Sequence, residues 1–163
     1  LGLVFVVGVD LRNRGGEMRG FFGVAFYFPK TNTNIGSLMR TAHVLGADFF
    51  AIVGQRIKNQ ASNTMHSERH IPLFVYKDFE DFYAHIPYDT QLVGVELEPR
   101  ATEVTKFPHP QRAVYLLGSE DNGLPERVLA ACHHVVRLKG ERSLNVACAG
   151  SIVLYDRVAK AGA

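Results

Sequence analysis

The chain is poor in cysteine: it has two, Cys132 and Cys148, in apolar or small-residue surroundings and with no close pair. That excludes a disulfide-framed secreted scaffold and reads as reduced thiols in a reducing compartment, the cytoplasm first, with nucleus and organelle matrix left open. Long hydrophobic runs are missing too. The longest near the start, "LVFVVGV" (Leu3 to Val9), is far shorter than a membrane span and lacks both a basic leader and a small-residue cleavage site. Nor does charge of one sign dominate, because the formal net charge is only +2. A balance that weak does not separate a nucleic-acid footprint from ordinary surface drift.

Several chemical signatures are absent as well. No G-x-G-x-x-G follows the first strand-like segment, which removes the dinucleotide fingerprint. "GSEDNGLP" has two glycines at phosphate-loop spacing, but Leu124 stands where the phosphate-binding lysine should be. "HSERH" (His66 to His70) imitates a two-histidine zinc helix, yet Glu68 is misplaced and no third ligand offers itself. The adjacent His133 and His134 are expected to divide between the two faces of a strand. Without a G-x-S-x-G elbow, a serine hydrolase has no support.

What is present is an ordinary globular composition over 163 residues, 47% hydrophobic and 21% charged, enough for one sizeable core. Residues 1–17 precede Met18 and are read as an N-terminal extension, from cloning, upstream readthrough or a fragment edge; residues 18–163 form one domain without repeat or linker. "FFGVAFYF" reads as a buried strand ending at Pro29, and "NIGSLMRTAHVLG" as a helix ending at Gly46. "DFFAIVG", "IPLFVY", "QLVGVEL", "RAVYLLGSE" and "HHVVRL" read as further strands. "DFEDFYAHI", "LPERVLAAC" with Pro125 in its first turn, and Leu144 to about Ala159 read as helices. Such alternation predicts an α/β fold, a mainly parallel sheet with helices on both faces. Ligands then bind beyond the carboxyl ends of the strands, where "PKTNTNIGSLMR", "LLGSEDNGLP" and "LKGERSLN" fall.

Those three loops carry a set of motifs. Asn34, Gly36 and Arg40 make N-x-G-x-x-x-R; Gly118, Glu120, Gly123, Leu124 and Pro125 make G-x-E-x-x-G-L-P; Ser143, Leu144 and Asn145 make S-L-N before Val146 and Ala147. Singly each has a bland reading: Asn34 or Ser143 as a helix cap, Arg40 as a solvated charge. In this order and spacing they resemble the three motifs of the SpoU (TrmH-type) RNA 2'-O-ribose methyltransferases, over about residues 21 to 160.

The resemblance implies an α/β domain with a deep trefoil knot at its carboxyl end, S-adenosylmethionine as methyl donor, RNA as substrate and a homodimer. It implies Arg40 as the essential catalytic residue, with Asn34, Glu120, Ser143 and Asn145 beside it. A guanidinium is normally charged, so Arg40 is expected to clamp a phosphate and stabilise a developing alkoxide, the proton acceptor staying unassigned. Donor contacts are expected from Val95, Gly118, Val136, Leu138, Ser143 and Leu144, with no side chain on Gly118 so that the ligand lies against backbone. Small residues Ala147, Ala149 and Gly150 would allow close helix packing in knot and dimer. Lacking room for an added RNA-binding domain, the chain is expected to act on transfer RNA, with ribosomal RNA and a non-catalytic RNA-binding role as alternatives. Lys30, Arg40, Arg56, Lys58, Arg69, Arg142 and Arg157 are the expected phosphate contacts.

Overall fold

The computed structural model describes residues 20–54 and 70–161. The N-terminal extension, Met18, Arg56, Lys58, His66 and Arg69 lie outside the described residues.

The expected alternation is observed. In chain order the elements are β1 (Phe22–Tyr27), α1 (Asn32–Val44), β2 (Phe49–Val53), β3 (Leu73–Tyr76), α2 (Phe79–Ala84), β4 (Gln91–Val95), β5 (Thr102–Glu103), β6 (Ala113–Leu117), α3 (Glu126–Ala131), β7 (His134–Arg137) and α4 (Val146–Ala161). A 3₁₀ turn, Val104–Lys106, follows β5. The described strands form one sheet in the order β3-β2-β1-β6-β4-β7-β5, and every pairing between them is parallel.

Alternate residues of the strands face opposite layers. Val24, Phe26, Tyr115 and Leu117 pack with Ile35, Leu38 and Met39 of α1 and with Val153 and Leu154 of α4. Ala25, Val114 and Leu116 pack with Phe79 and Phe82 of α2 and Val128 of α3. The central strands are therefore buried on both faces, which explains their unbroken apolar runs.

Local chemistry sets the helix ends. Gly46, with φ of 80°, follows the cap of α1 as expected, and its N–H returns to the His43 carbonyl. Pro125 caps α3 rather than standing inside its first turn. α4 begins at Val146, two residues later than Leu144, because the Asn145 Oδ1 accepts the N–H groups of Ala147 and Cys148 and so ends the preceding loop.

Of the small residues of α4, Gly150 makes room for neighbouring side chains. A Cβ on Gly150 would lie 2.5 Å from Leu38 Cδ1 and 2.8 Å from Leu117 Cδ2. At the next residue, the Thr41 and Ser151 hydroxyls meet at 3.0 Å, so α4 is seated directly on α1 and β6.

Arg157 requires a correction. It is buried, at 6% exposure, and its guanidinium donates to the carbonyls of Pro110 and Gln111 and to the Tyr115 hydroxyl while lying over the Phe22 ring. With its donors engaged inside the protein it is no phosphate contact.

Candidate active site

At the carboxyl end of β1 the chain turns sharply. Phe28 has φ of 44°, an uncommon conformation for a bulky residue, and Pro29 follows. The turn delivers Lys30 and Thr31 to the end of β6, the strand beside β1. Thr31 caps α1, its Oγ1 accepting the Asn34 N–H at 3.3 Å.

Glu120, just past β6, closes this junction. Its Oε2 accepts the Lys30 N–H at 2.8 Å, and its Oε1 accepts the Thr31 N–H, the Thr31 hydroxyl and the Asn34 Nδ2 at 3.1, 3.3 and 3.0 Å. Partial burial pushes this carboxyl up, but the Asn34 amide and the backbone N–H groups outweigh it and hold Glu120 below its ordinary value. It is a structural anion with its lone pairs occupied, poorly placed to move protons.

The third motif joins the same line. Asn145 Nδ2 donates to Asn34 Oδ1 at 3.0 Å, while Asn34 Nδ2 donates onward to Glu120. Asn34, Glu120 and Asn145, each from a different motif, are thus one hydrogen-bonded chain at the mouth of a cavity.

That cavity has a volume of about 640 Å³ and lies beyond the ends of β4, β6 and β7. Apolar walls come from Val95, Leu97, Leu117, Leu138, Leu144 and Val146; Ser143 and the Asn34–Glu120–Asn145 chain supply polar groups, and Lys30, Arg137 and Arg142 supply cations. Of the residues expected at the donor, Val95, Gly118, Leu138, Ser143 and Leu144 line it. Val136 does not: its side chain is fully buried and its carbonyl already accepts the Glu96 N–H at 3.0 Å.

Arg40 also stands apart from the cavity wall. It is an exposed residue in the body of α1, six positions beyond Asn34, and not part of a helix-opening loop. Lys30 is exposed and paired with Asp121 at 2.8 Å; Arg142 is exposed.

Two contributors escaped the sequence reading. Thr31 had a visible signal, a hydroxyl three residues before Asn34 at a helix start. Glu96, in the cavity wall just past β4, accepts the Leu124 N–H at 2.8 Å; only its place at a strand's carboxyl end marked it. Among the described residues no group of three or more His, Cys, Asp or Glu could hold a metal ion, and no helix is long and apolar enough to cross a membrane.

The family model described as "SpoU rRNA Methylase family" matches residues 22–155, which contain all three motifs and the cavity they line. The chain belongs to this family. A comparison with curated proteins gives no match. Among solved structures, the SpoU methyltransferase AviRb from Streptomyces viridochromogenes in complex with AdoMet has a TM-score of 0.80 at 26% identity, over 94% of this chain and 62% of that one. The AdoMet-bound rRNA methyltransferase from Sinorhizobium meliloti has a TM-score of 0.75 at 26% identity, over 85% of this chain and 56% of that one. A protein described for 2-OH methylation of C/U34 on tRNA shares the fold, with a TM-score of 0.75 at 22% identity over 88% of this chain and 92% of that one. The SpoU domain described here thus spans less than two thirds of the AviRb and Sinorhizobium chains.

Proposed function

We propose that this SpoU domain binds S-adenosylmethionine in the cavity and transfers its methyl group to a ribose 2'-hydroxyl of RNA, transfer RNA being the first substrate to test. The observation that carries the reading is the Asn145–Asn34–Glu120 chain, which ties all three family motifs to one cavity.

The residues present fit the donor. A cavity of about 640 Å³ falls within the usual range for cofactor pockets, roughly 300–1,000 Å³. Val95, Leu138 and Leu144 offer apolar walls for an adenine, with Gly118 and Ser143 beside them. When bound, S-adenosylmethionine supplies an electrophilic methyl group on a sulfonium. The protein's task is then to hold acceptor oxygen, methyl carbon and sulfur in line and to exclude water. Asn34 and Asn145 fix the loops that define this approach. Arg40, on the exposed side of α1, and the rim cations Lys30 and Arg142 face the RNA, gripping phosphate and stabilising charge on the ribose oxygen.

A homodimer accompanies this reading. α4 exposes Ile152 at 45% and Tyr155 at 65%, and the loop before it exposes Leu144 at 54%, apolar surface beside the cavity that a second copy would cover. The trefoil knot belongs to the same reading, supported by β6 lying between β1 and β4 and by α4 returning from β7 onto α1.

The decisive experiment incubates the protein with methyl-labelled donor and separate transfer and ribosomal RNA fractions, then identifies the labelled nucleoside. A 2'-O-methylated nucleoside from transfer RNA is the expected result. Label only in ribosomal RNA changes the substrate; label on a base overturns ribose methylation. Donor binding without transfer to any RNA would favour a non-catalytic RNA-binding role.

A further inference from the structure

We infer that Glu96 is a positioning residue that sets the width of the donor cavity, a role that rests on the donor reading above. It touches no reacting atom. Its backbone N–H is bonded to the Val136 carbonyl at 3.0 Å, which pins it to β7. Its carboxylate reaches the other way: Oε1 accepts the Leu97 N–H at 3.0 Å and Oε2 the Leu124 N–H at 2.8 Å. One residue therefore joins β7, through its backbone, to the turn that follows β6, through its side chain.

Gly123 of that turn is explained by this contact, and Gly118 by the backbone of the turn packed against it. Gly123 has φ of 61°, and a Cβ there would lie 2.9 Å from Glu96 Cδ and 3.1 Å from its Oε1. A Cβ on Gly118 would in turn come 2.6 Å from the Leu124 nitrogen. Strand end, turn and carboxylate are stacked with no space for another carbon between them. Since Val95, Glu96, Leu97, Gly118 and Gly123 all line the cavity, the stack fixes the separation of two of its walls. A carboxylate suits this place because both acceptor oxygens are used; an amide would turn an NH₂ group toward one of the two N–H donors.

The test compares Glu96→Gln and Glu96→Ala with the wild-type chain by three measurements: titration with S-adenosylhomocysteine, hydrogen exchange at the Leu124 amide, and thermal melting. In both variants the dissociation constant should rise, by about tenfold or more in Glu96→Ala, where Leu124 should also exchange faster because its partially buried N–H has lost its acceptor; Glu96→Gln keeps one acceptor oxygen and should show the smaller change. These changes should appear well below the melting temperature, with exchange in β1 and β2 unchanged. A residue that only stabilised the fold would lower the melting temperature and leave affinity for the folded protein intact; that outcome overturns the inference. Wild-type protein that fails to bind S-adenosylhomocysteine would overturn the donor reading and this role with it. Wild-type binding that both variants retain would overturn the role of Glu96 alone.

Discussion

The Asn145 amide donates to the Asn34 carbonyl oxygen across 3.0 Å, joining the loop before α4 to the first turn of α1. Asn34 passes the link on to Glu120, so its side chain has partners on both sides. Asn34→Ala should remove both bonds with a stability loss of about 1–3 kcal/mol. Methyl transfer should fall by about a hundredfold or more, since loops displaced by an ångström misalign an in-line reaction. Single-turnover methylation beside thermal melting checks this; a wild-type rate would show that the chain of three residues only stabilises the fold.

Arg40→Lys is expected to leave folding and donor affinity nearly unchanged while lowering methylation severely. The side chain is exposed on α1, and surface substitutions usually alter stability within about 0.5 kcal/mol. Lysine keeps the charge but lacks the planar fork that grips phosphate or alkoxide in a fixed orientation. Wild-type single-turnover rates in the lysine variant would remove Arg40 from the catalytic group.

Gly118→Ala should disturb the turn itself. The added carbon meets the backbone of Gly123 and Leu124, which a side-chain rotation cannot relieve. A destabilisation of about 1–3 kcal/mol is expected, together with weaker binding of S-adenosylhomocysteine. Chemical denaturation and calorimetry measure the two. Unchanged stability with lost binding would instead place the new methyl group against the ligand.

The buried cluster beneath α4 predicts a pH dependence. Arg157 can only donate, so the Tyr115 hydroxyl accepts from it and gives its own proton to His109 Nδ1; His109 Nε2–H then donates to Asp156, which Lys160 also faces. Burial lowers the His109 pKa from 6.5; the Asp156 bond and charge oppose this, and the Lys160 and Arg157 charges reinforce it. The neutral imidazole is thus the folded form. Its contribution is fully present above about pH 6.5 and is lost as the pH falls toward the lower folded value, because the unfolded chain takes up the proton first. Burial raises the Asp156 carboxyl, but Lys160 and His109 bring it below 3.8 overall, so its contribution persists to more acid pH. Denaturation series between about pH 7 and pH 5 should show stability declining in the wild type and a flatter profile in His109→Gln. Equal slopes would exclude His109 as the cause.

Replacing Ile152 and Tyr155 together by aspartate should keep the fold and abolish self-association, since both are exposed on α4. Sedimentation of a monomeric variant beside a dimeric wild type is the expected result. A wild type that is monomeric at micromolar concentration removes the dimer.

Much of the fold was legible because each buried strand is a short apolar run and α1 carries Ile35, Leu38, Met39 and Ala42 at helical spacing. The two-residue β5 is too short to show any period. Strand order was hidden as well, since parallel neighbours share no turn that a local pattern could announce. At the site, Asn34, Glu120 and Asn145 stood out by motif, and the structure joins them. Arg157 misled because a lone arginine in a terminal helix looks solvated; its acceptors on Pro110 and Gln111 come from a distant loop. Glu96 was silent for the same reason, its partner Leu124 belonging to another turn.

The strand order has a consequence for synthesis on the ribosome. β6 is the common neighbour of β1 and β4, yet it follows both in the chain. A nascent chain that has emerged through β4 therefore holds two apolar strand edges that cannot take their final partner until β6 has left the exit tunnel. Pairing that waits on distant segments forms slowly, and open edges in the interval invite association with other chains. Soluble yield of this protein should accordingly depend on translation speed and on chaperones that shield β1 and β4 until the centre of the sheet is filled.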